Sequence, residues 1–186
     1  MFMAIKAARW TRHDLERLPR DGNRYEVLDG ELLVTPQAAL DHQSVSMRLA
    51  VAIYAYCNAH GVGIAVGPGA VIFGDSELQP DIEVLGGVSF PTRKKWDELP
   101  YPILAVEILS PSGASRRRDL ESKRVAYLGL GIAEHWVVDL DARCVHLWSN
   151  GEPERIVTDL LTWRPNSAIP AFELSLDDLF GPPSTE

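Results

Sequence analysis

The chain has 186 residues, of which 46% are hydrophobic and 24% are charged, and its formal net charge is −8. This length fits one domain, and the composition is that of a globular protein with a sizeable core. The acidic balance argues against a general, charge-driven nucleic-acid binder, because phosphate contacts supply most nonspecific affinity. It does not exclude a nuclease, since a divalent ion and a local basic patch can offset acids at a site.

The apolar segments and the cysteines indicate a cytoplasmic protein that does not enter a membrane. No apolar run approaches the roughly 20 residues of a membrane helix, and the first residues lack the apolar segment of a signal peptide. Cys57 and Cys144 are far apart, and neither belongs to a CxxC pair. Buried, reduced thiols are therefore expected.

The first predicted elements are a short helix and a β-hairpin. Thr11, followed three residues later by Asp14, is typical of a helix N-cap, and the helix is expected to last one or two turns. In RYEVLDGELLVTP, two β-prone runs flank Asp29-Gly30, a dipeptide that tolerates the positive φ angles of a tight turn. This pattern predicts a hairpin.

Further elements follow from hydrophobic spacing. Helical periodicity predicts a helix from Asp41 to about His60, with Asp41 as its N-cap and Gly61 as its stop. The segments GIAVGPGAVIFGD and QPDIEVLGGVSF are typical of strands. Strands are also predicted at 103–109, 134–140 and 143–148, with a helix at about 117–128. The tail contains two strand-like pieces, RIVTDLLTW and FELSLDDLF.

These elements predict one α/β domain over residues 1–186, ordered from about 10 to 180. The strands at 81–85, 103–109 and 134–138 are expected to share a mixed β-sheet flanked by helices, preceded by the N-terminal hairpin.

Two acids lie in otherwise apolar strand segments, Asp81 in QPDIEVL and Glu107 in ILAVEIL. Such an acid needs a partner, because an unpaired ionised carboxylate in apolar surroundings is very costly. Projecting from neighbouring strands, the two acids can meet at one point, and proteins usually hold Mg²⁺ with two carboxylates plus water. A structural role is equally open, in which Asp81 forms a turn after Pro80 and Glu107 pairs with an arginine.

Lys123 lies on the predicted helix that follows the Glu107 strand. With Asp119 and Tyr127 it forms a stripe at i, i+4 spacing. Its ammonium can point back at the carboxylates, where it would stabilise negative charge or orient an attacking water. The alternative is a solvated Asp119–Lys123 surface pair. Tyr127 is expected in the core, where it can hold Lys123.

The strongest basic cluster is Arg116, Arg117 and Arg118, at the expected N-terminal end of that helix. Positive charges are unfavourable there with respect to the helix dipole, so helix formation does not explain them. Anchoring a phosphodiester backbone would explain them. A solvated basic turn is the alternative.

The motifs of the chain are P-D in a strand, followed by VEILSPS, RRRD–xxx–K–xxx–Y and G-I-x-E-H-W-V-V-D. In these motifs the chain resembles the Uma2 family of restriction endonuclease-like proteins. That family belongs to the PD-(D/E)XK nuclease superfamily. The resemblance extends upstream to YEVLDGELLVTP and to His42-Gln43, and covers roughly residues 10–180. It implies a restriction endonuclease-like fold, with a mixed sheet flanked by helices.

The resemblance also implies roles for individual residues. Asp81 and Glu107 match the two acids, which bind Mg²⁺ or Mn²⁺ together with the backbone carbonyl of Ile108. The superfamily pattern places a lysine two residues after the second acid, but Leu109 stands here. Lys123 then takes the lysine's role from the following helix.

Two further residues have open interpretations. Glu31, in the hairpin, matches a family glutamate that approaches the same cleft, but it is equally typical of an exposed strand acid after a tight turn. His42 is either a site residue or, as the first turn of a helix favours, a packing residue.

The implied function is metal-dependent hydrolysis of DNA phosphodiester bonds, with Arg116–Arg118 contacting phosphates. Cutting both strands would favour a homodimer. One alternative is a catalytically inactive nuclease-fold protein that acts as a binding or regulatory module, which Leu109 and the acidic charge support. Another is a metal-dependent hydrolase that acts on a different substrate.

Overall fold

The computed structural model of the chain describes residues 9–109 and 118–182. A 3-10 helix, Arg12–Arg17, opens this part of the chain, capped as predicted by Thr11 and Asp14. The elements up to the middle of the chain are β1 (Arg24–Leu28), β2 (Glu31–Thr35), α1 (Leu40–His60), β3 (Gly63–Val66), β4 (Val71–Phe73), β5 (Ser76–Leu78) and β6 (Ile82–Gly86).

A short 3-10 helix, Trp96–Glu98, separates these elements from the second half of the fold. The helix named α2 here has a π-helical part, Arg118–Lys123, and an α-helical part, Arg124–Gly129. The remaining elements are β7 (Leu104–Ile108), β8 (Glu134–Asp139), β9 (Cys144–Ser149), β10 (Arg155–Val157), β11 (Leu160–Trp163), β12 (Phe172–Ser175) and α3 (Leu176–Phe180).

Six strands form the central sheet in the order β10-β9-β8-β7-β6-β3. The β7–β8 pair is parallel and the other pairs are antiparallel, so the sheet is mixed. The prediction that the strands around 81–85, 103–109 and 134–138 share one mixed sheet is therefore confirmed. The parallel pair requires a crossover, and α2 lies in that connection.

One face of the central sheet carries the main core. Inward side chains such as Ile82, Val84 and Val106 share a hydrophobic cluster with Leu49 and Ile53 of α1. Residues of β11, β12 and α3 complete this cluster. Because side chains alternate along a strand, the intervening residues of β6 and β7 point to the opposite face.

The opposite face packs under a second sheet of four strands, in the order β2-β1-β5-β4. Leu28, Leu78 and Val71 of that sheet share a cluster with Ala105 of β7 and Tyr127 of α2. An acid on this face of β7 is therefore enclosed between two sheets and a helix, so its charge needs partners from the surrounding elements.

The N-terminal hairpin forms as predicted. Leu28 pairs with Glu31 across the turn, and Asp29 and Gly30 both have positive φ angles, of 51° and 87°. Helix α1 ends as predicted at Gly61, whose φ is 65°. Its predicted N-cap is wrong, because Ala39 is the cap residue and Asp41 lies in the first turn. There its charge still suits the positive end of the helix dipole.

The C-terminal segment differs from its prediction. FELSLDDLF is not one strand-like piece, because β12 ends at Ser175 and α3 follows directly. Leu176 and Leu179 are buried while Asp177 and Asp178 are exposed. That spacing of three residues suits one face of a helix and conflicts with the alternation of a strand.

No helix within residues 9–109 and 118–182 is long and apolar enough to cross a bilayer. Cys57 and Cys144 are both buried, and neither is in a disulfide, as the sequence predicts.

A buried acid on β6, Glu83, makes stability depend on pH. Its side chain is enclosed beneath the Gly69–Ala70 segment, and burial raises its pKa from 4.5 to about 7, opposed only in part by the backbone amide of Ala70. Between these pH values the folded chain keeps a proton that the unfolded chain releases. The free energy of unfolding therefore falls as pH rises through this window, by up to about 1.4 kcal/mol per pH unit.

We expect Glu83→Gln to remove this contribution, because the amide does not ionise. Urea unfolding measured from about pH 5 to about pH 8 should show the variant gaining stability relative to the wild type as pH rises. Glu173→Gln, which changes an exposed acid of β12, should show no such trend. A wild-type-to-variant difference that stays constant across the window would contradict the assignment.

Candidate active site

The two predicted acids meet at the edge where β6 and β7 begin their pairing. Ile82 pairs with Val106 in antiparallel register, so the next residue outward, Asp81, lies opposite Glu107. The backbone N–H of Ile108 donates a hydrogen bond to Asp81 Oδ2 at 2.8 Å. Strand register thus brings the two carboxylates to one place on the same face of the sheet.

Lys123 reaches the same place from α2. Its side chain is only 1% exposed, and its Nζ lies 3.0 Å from Glu107 Oε1 and 2.9 Å from Glu26 Oε1. The alternative of a solvated surface lysine is therefore wrong. The cause is the position of α2, which packs over the face of β7 that carries Glu107.

Tyr127, one turn beyond Lys123, donates a hydrogen bond from its hydroxyl to Glu107 Oε1 at 2.8 Å. Burial and the neighbouring Glu107 raise the pKa of Tyr127 well above its usual value. The hydroxyl therefore stays protonated and remains a donor. Lys123 and Tyr127 together hold one oxygen of Glu107 from a single helix.

The acid contributed by the hairpin is Glu26 and not Glu31. Glu26 is fully buried on β1, and its Oε1 also accepts the backbone N–H of Gln79 at 2.7 Å. Glu31 is exposed at the first position of β2, beside the turn. Of the two interpretations of Glu31, the exposed strand acid after a tight turn therefore agrees with the structure.

Arg24, which the sequence reasoning also missed, connects the three acids. Its Nη1 lies 2.6 Å from Asp81 Oδ1, its Nε 3.7 Å from Glu26 Oε2 and its Nη2 3.9 Å from Glu107 Oε2. Burial disfavours the charge on Arg24, but the three carboxylates outweigh it and raise the arginine's pKa. The guanidinium is therefore always protonated.

A signal for Arg24 and Glu26 was present in the sequence. Side chains alternate along a strand, so RYEVL places Arg24, Glu26 and Leu28 on one face of β1. Two charged residues on the same strand face as a buried leucine need partners for the same reason as Glu107 in its apolar strand. Applied to β1, that reasoning would have favoured Glu26 over Glu31.

His42, on the first turn of α1, lies at the outer side of this group. Its Nε2 is 3.4 Å from Asp81 Oδ1, and the residue is buried. Burial raises the pKa of Asp81, but His42 and Arg24 more than offset this and hold it at about 2. Asp81 is thus ionised throughout the physiological range, and the buried His42 contacts its carboxylate.

Leu109 is buried in an apolar cluster with Val137 and Trp148. It therefore offers no polar group to the acids, whereas Lys123 places an ammonium 3.0 Å from Glu107 Oε1. Of Ile108, the structure shows the amide bound to Asp81; its carbonyl as a metal ligand stays a prediction. Arg116 and Arg117 lie outside the described residues, and so does the side chain of Arg118.

We call Glu26, Asp81 and Glu107, with Arg24 and Lys123, the acidic cluster. Three carboxylates face two basic side chains, which leaves one excess negative charge when His42 is neutral. Carboxylate oxygens are the donors that Mg²⁺ and Mn²⁺ prefer, so the donor set fits such an ion. The guanidinium of Arg24 lies against the same carboxylates and would compete with it. A pocket of about 360 Å³, lined by Arg24, His42 and Asp81 among others, reaches the cluster.

Comparison with known proteins identifies the family. A crystal structure from Anabaena variabilis, described as a putative nuclease belonging to DUF820, matches with a TM-score of 0.72. It is 21% identical in sequence, and the match covers 91% of this chain and 97% of that one, which shows a shared fold. No curated protein matches. The Uma2 family model, described as "Putative restriction endonuclease", matches residues 12–177. The chain therefore belongs to the Uma2 family of restriction endonuclease-like proteins.

Proposed function

We propose that the chain is a Mg²⁺-dependent endonuclease that hydrolyses DNA phosphodiester bonds at the acidic cluster. One observation carries the proposal: three buried carboxylates, on β1, on β7 and just before β6, meet around Arg24, and the buried Lys123 binds two of them. Burying several ionised groups in a low-dielectric site lowers the free energy of unfolding, so stability by itself does not explain the cluster. Such groups beside a pocket are typical of functional sites. Family membership supplies the reaction class.

Asp81 and Glu107, with the carbonyl of Ile108, would hold the ion, and Glu26 would offer a further oxygen ligand within the same cluster. A bound Mg²⁺ or Mn²⁺ supplies polarisation of the phosphate and a lowered pKa for an attacking water. Asp81 is suited to this role because its pKa of about 2 keeps it ionised.

The other residues hold charge and geometry. The hydroxyl of Tyr127 and the ammonium of Lys123 both bind Glu107 Oε1, which fixes the orientation of that carboxylate. Lys123 also places a positive charge next to the carboxylates, where it can stabilise the negative charge that develops on a phosphate during attack. This is the contribution that Leu109 cannot make.

A second candidate is a catalytically inactive binding or regulatory module. Arg24 contacts all three carboxylates, and Lys123 binds two of them. The two cations already supply most of the compensation that a divalent ion would bring. Under this alternative the cluster is a structural ion-pair network, and the chain neither binds a divalent ion there nor cleaves DNA.

DNA is the proposed substrate. Arg116–Arg118 are expected to contact backbone phosphates, and a homodimer with two-fold symmetry would allow both strands to be cut. The buried, unlinked cysteines are consistent with the cytoplasm as the proposed compartment.

The proposal is tested with purified wild-type chain, supercoiled plasmid and either Mg²⁺ or Mn²⁺, with EDTA as the metal-free control. Nicked and linear products that require the ion support the nuclease. No cleavage with any divalent ion, together with no Mn²⁺ binding by calorimetry, supports the inactive module. Metal binding with no cleavage of plasmid, single-stranded DNA or RNA would favour a hydrolase of another substrate class.

The hairpin acids offer a sharp internal comparison. We expect Glu26→Gln to reduce ion-dependent nicking at least about 10-fold, because it removes a charged oxygen donor that also positions Lys123. Glu31→Gln should nick at the wild-type rate, since Glu31 is exposed beside the turn. Initial nicking rates at saturating Mg²⁺ measure both. Equal losses in the two variants, or a loss only in Glu31→Gln, would contradict the placement of Glu26.

A further inference from the structure

A second group of metal-ligand side chains lies at the hairpin between β8 and β9. Asp139 and Cys144 are paired at the end of that hairpin. His146 lies two residues after Cys144, so the two side chains share a face of β9. One ligand atom from each of the three residues lies within 4.8 Å of the others. None of them belongs to the acidic cluster.

We propose that Asp139, Cys144 and His146 bind a divalent transition-metal ion of the Zn²⁺ class. Thiolate and imidazole are ligands for Zn²⁺ and related ions, whereas Mg²⁺ takes oxygen ligands. The site is therefore chemically distinct from the acidic cluster and would bind a different ion.

The separation of the sulfur and nitrogen atoms suits such an ion. Cys144 Sγ lies 3.7 Å from His146 Nε2. Zinc bonds of about 2.3 Å to sulfur and about 2.0 Å to nitrogen, at a tetrahedral angle, place these two atoms about 3.5 Å apart. An ion can thus be bound by both atoms with almost no movement of either side chain.

His146 is held in the tautomer that binds a metal. Its Nδ1 lies 2.7 Å from Glu154 Oε1. A carboxylate only accepts hydrogen bonds, so Nδ1 carries a proton and donates it, and in the neutral ring Nε2 presents its lone pair toward Cys144. A carboxylate behind a ligating histidine is a regular feature of zinc sites, where it fixes the ring and raises its basicity. Glu154 is here a positioning residue.

Asp139 is positioned as the third ligand. Its Oδ1 accepts the backbone N–H groups of Asp141 at 3.1 Å and Ala142 at 3.0 Å, which anchors the carboxylate at the turn. A modest adjustment from the observed separations would bring its oxygen to bonding distance. Three protein ligands leave a fourth position for water, as in open zinc sites. Formation of the sulfur–metal bond releases the thiol proton of Cys144 to solvent, one proton per ion.

The test uses the full chain, stripped with a chelator and titrated with Co²⁺, whose spectrum reports thiolate ligation. We expect a near-ultraviolet sulfur-to-cobalt charge-transfer band that saturates at one equivalent and is abolished by Zn²⁺. Cys144→Ser should lose the band. Cys57→Ser, which removes the other buried thiol on α1, should keep it.

Glu154→Gln should retain the band but weaken Co²⁺ affinity about 10- to 100-fold, as expected for a positioning residue behind a histidine ligand. Absence of the band in the wild type overturns the proposal, whatever the variants do, so a Cys144→Ser chain that fails to fold leaves the test decisive. A band that survives in folded Cys144→Ser, or disappears in Cys57→Ser, also overturns it.

Discussion

Lys123→Met is expected to lower the free energy of unfolding by about 3–5 kcal/mol, because breaking a buried ion pair leaves its partners charged and uncompensated. Glu26 and Glu107 are both fully buried, and Lys123 Nζ lies within 3.0 Å of each. Arg24 cannot replace the lysine, since its nitrogens lie 3.7 and 3.9 Å from these carboxylates. Urea denaturation followed by circular dichroism measures the loss.

Lys94→Met is the matched control, because Lys94 is exposed and its replacement should change stability by less than about 0.5 kcal/mol. The double variant Lys123→Met with Glu107→Gln should recover part of the loss, since it removes one of the stranded charges. Equal stability of Lys123→Met and the wild type would mean that the buried lysine is not the counterion of the two acids.

Asp81→Asn and Glu107→Gln are each expected to reduce ion-dependent DNA cleavage by at least about 10²–10³-fold, because each removes a charge that would hold the ion or stabilise the transition state. Both substitutions preserve side-chain size. In Asp81→Asn, the amide side chain would retain an oxygen able to accept the backbone N–H of Ile108, which wild-type Asp81 binds at 2.8 Å. Calorimetry with Mn²⁺ should show weakened binding in the same two variants.

Asp178→Asn, which changes an exposed acid on α3, should cleave at the wild-type rate. Far-ultraviolet circular dichroism separates loss of chemistry from loss of folding. Wild-type cleavage rates in both Asp81→Asn and Glu107→Gln would place the activity elsewhere, either at another site of the chain or in a copurified nuclease. Loss of cleavage in Asp178→Asn as well would indicate a general effect of removing negative charge.

These two experiments separate the proposed functions. An inactive module predicts the large stability loss in Lys123→Met but no ion-dependent cleavage to lose. A nuclease predicts both effects. The acidic cluster combines strong internal pairing with a donor set that fits Mg²⁺, so stability alone does not distinguish them, and metal binding by the wild type is the deciding measurement.

Much of the fold is readable from local patterns. Short apolar runs predicted the central strands, and the Asp29-Gly30 turn predicted the hairpin, because these features depend on neighbours a few residues apart. The pairing of β1 with β5 was not predicted, because it joins residues about fifty positions apart through one matched pair, Val27 and Glu77. The short helix α3 was missed because its five residues contain too few positions to show a helical period.

At the acidic cluster, too, some residues could be predicted from local spacing and others depend on long-range packing. Asp81 and Glu107 could be selected from the sequence because a charged residue in an apolar pattern needs a partner. Lys123 could be selected because it lies on the helix after the Glu107 strand and because the family resemblance gives it the lysine's role. That Arg24, 57 positions before Asp81, is one of those partners depends on how the two sheets stack. The choice of Glu26 over Glu31 depends on how the hairpin packs, which buries Glu26 and leaves Glu31 exposed.

By itself, then, the sequence determined which charged side chains lie in apolar segments and which strands carry them, since both follow from local spacing. Only the tertiary structure decided which of these charged side chains come into contact. Register sets Asp81 opposite Glu107, and the packing of α2 and the hairpin over the sheet brings Lys123, Glu26 and Arg24 to them. Such contacts depend on long-range packing, which local sequence spacing does not encode.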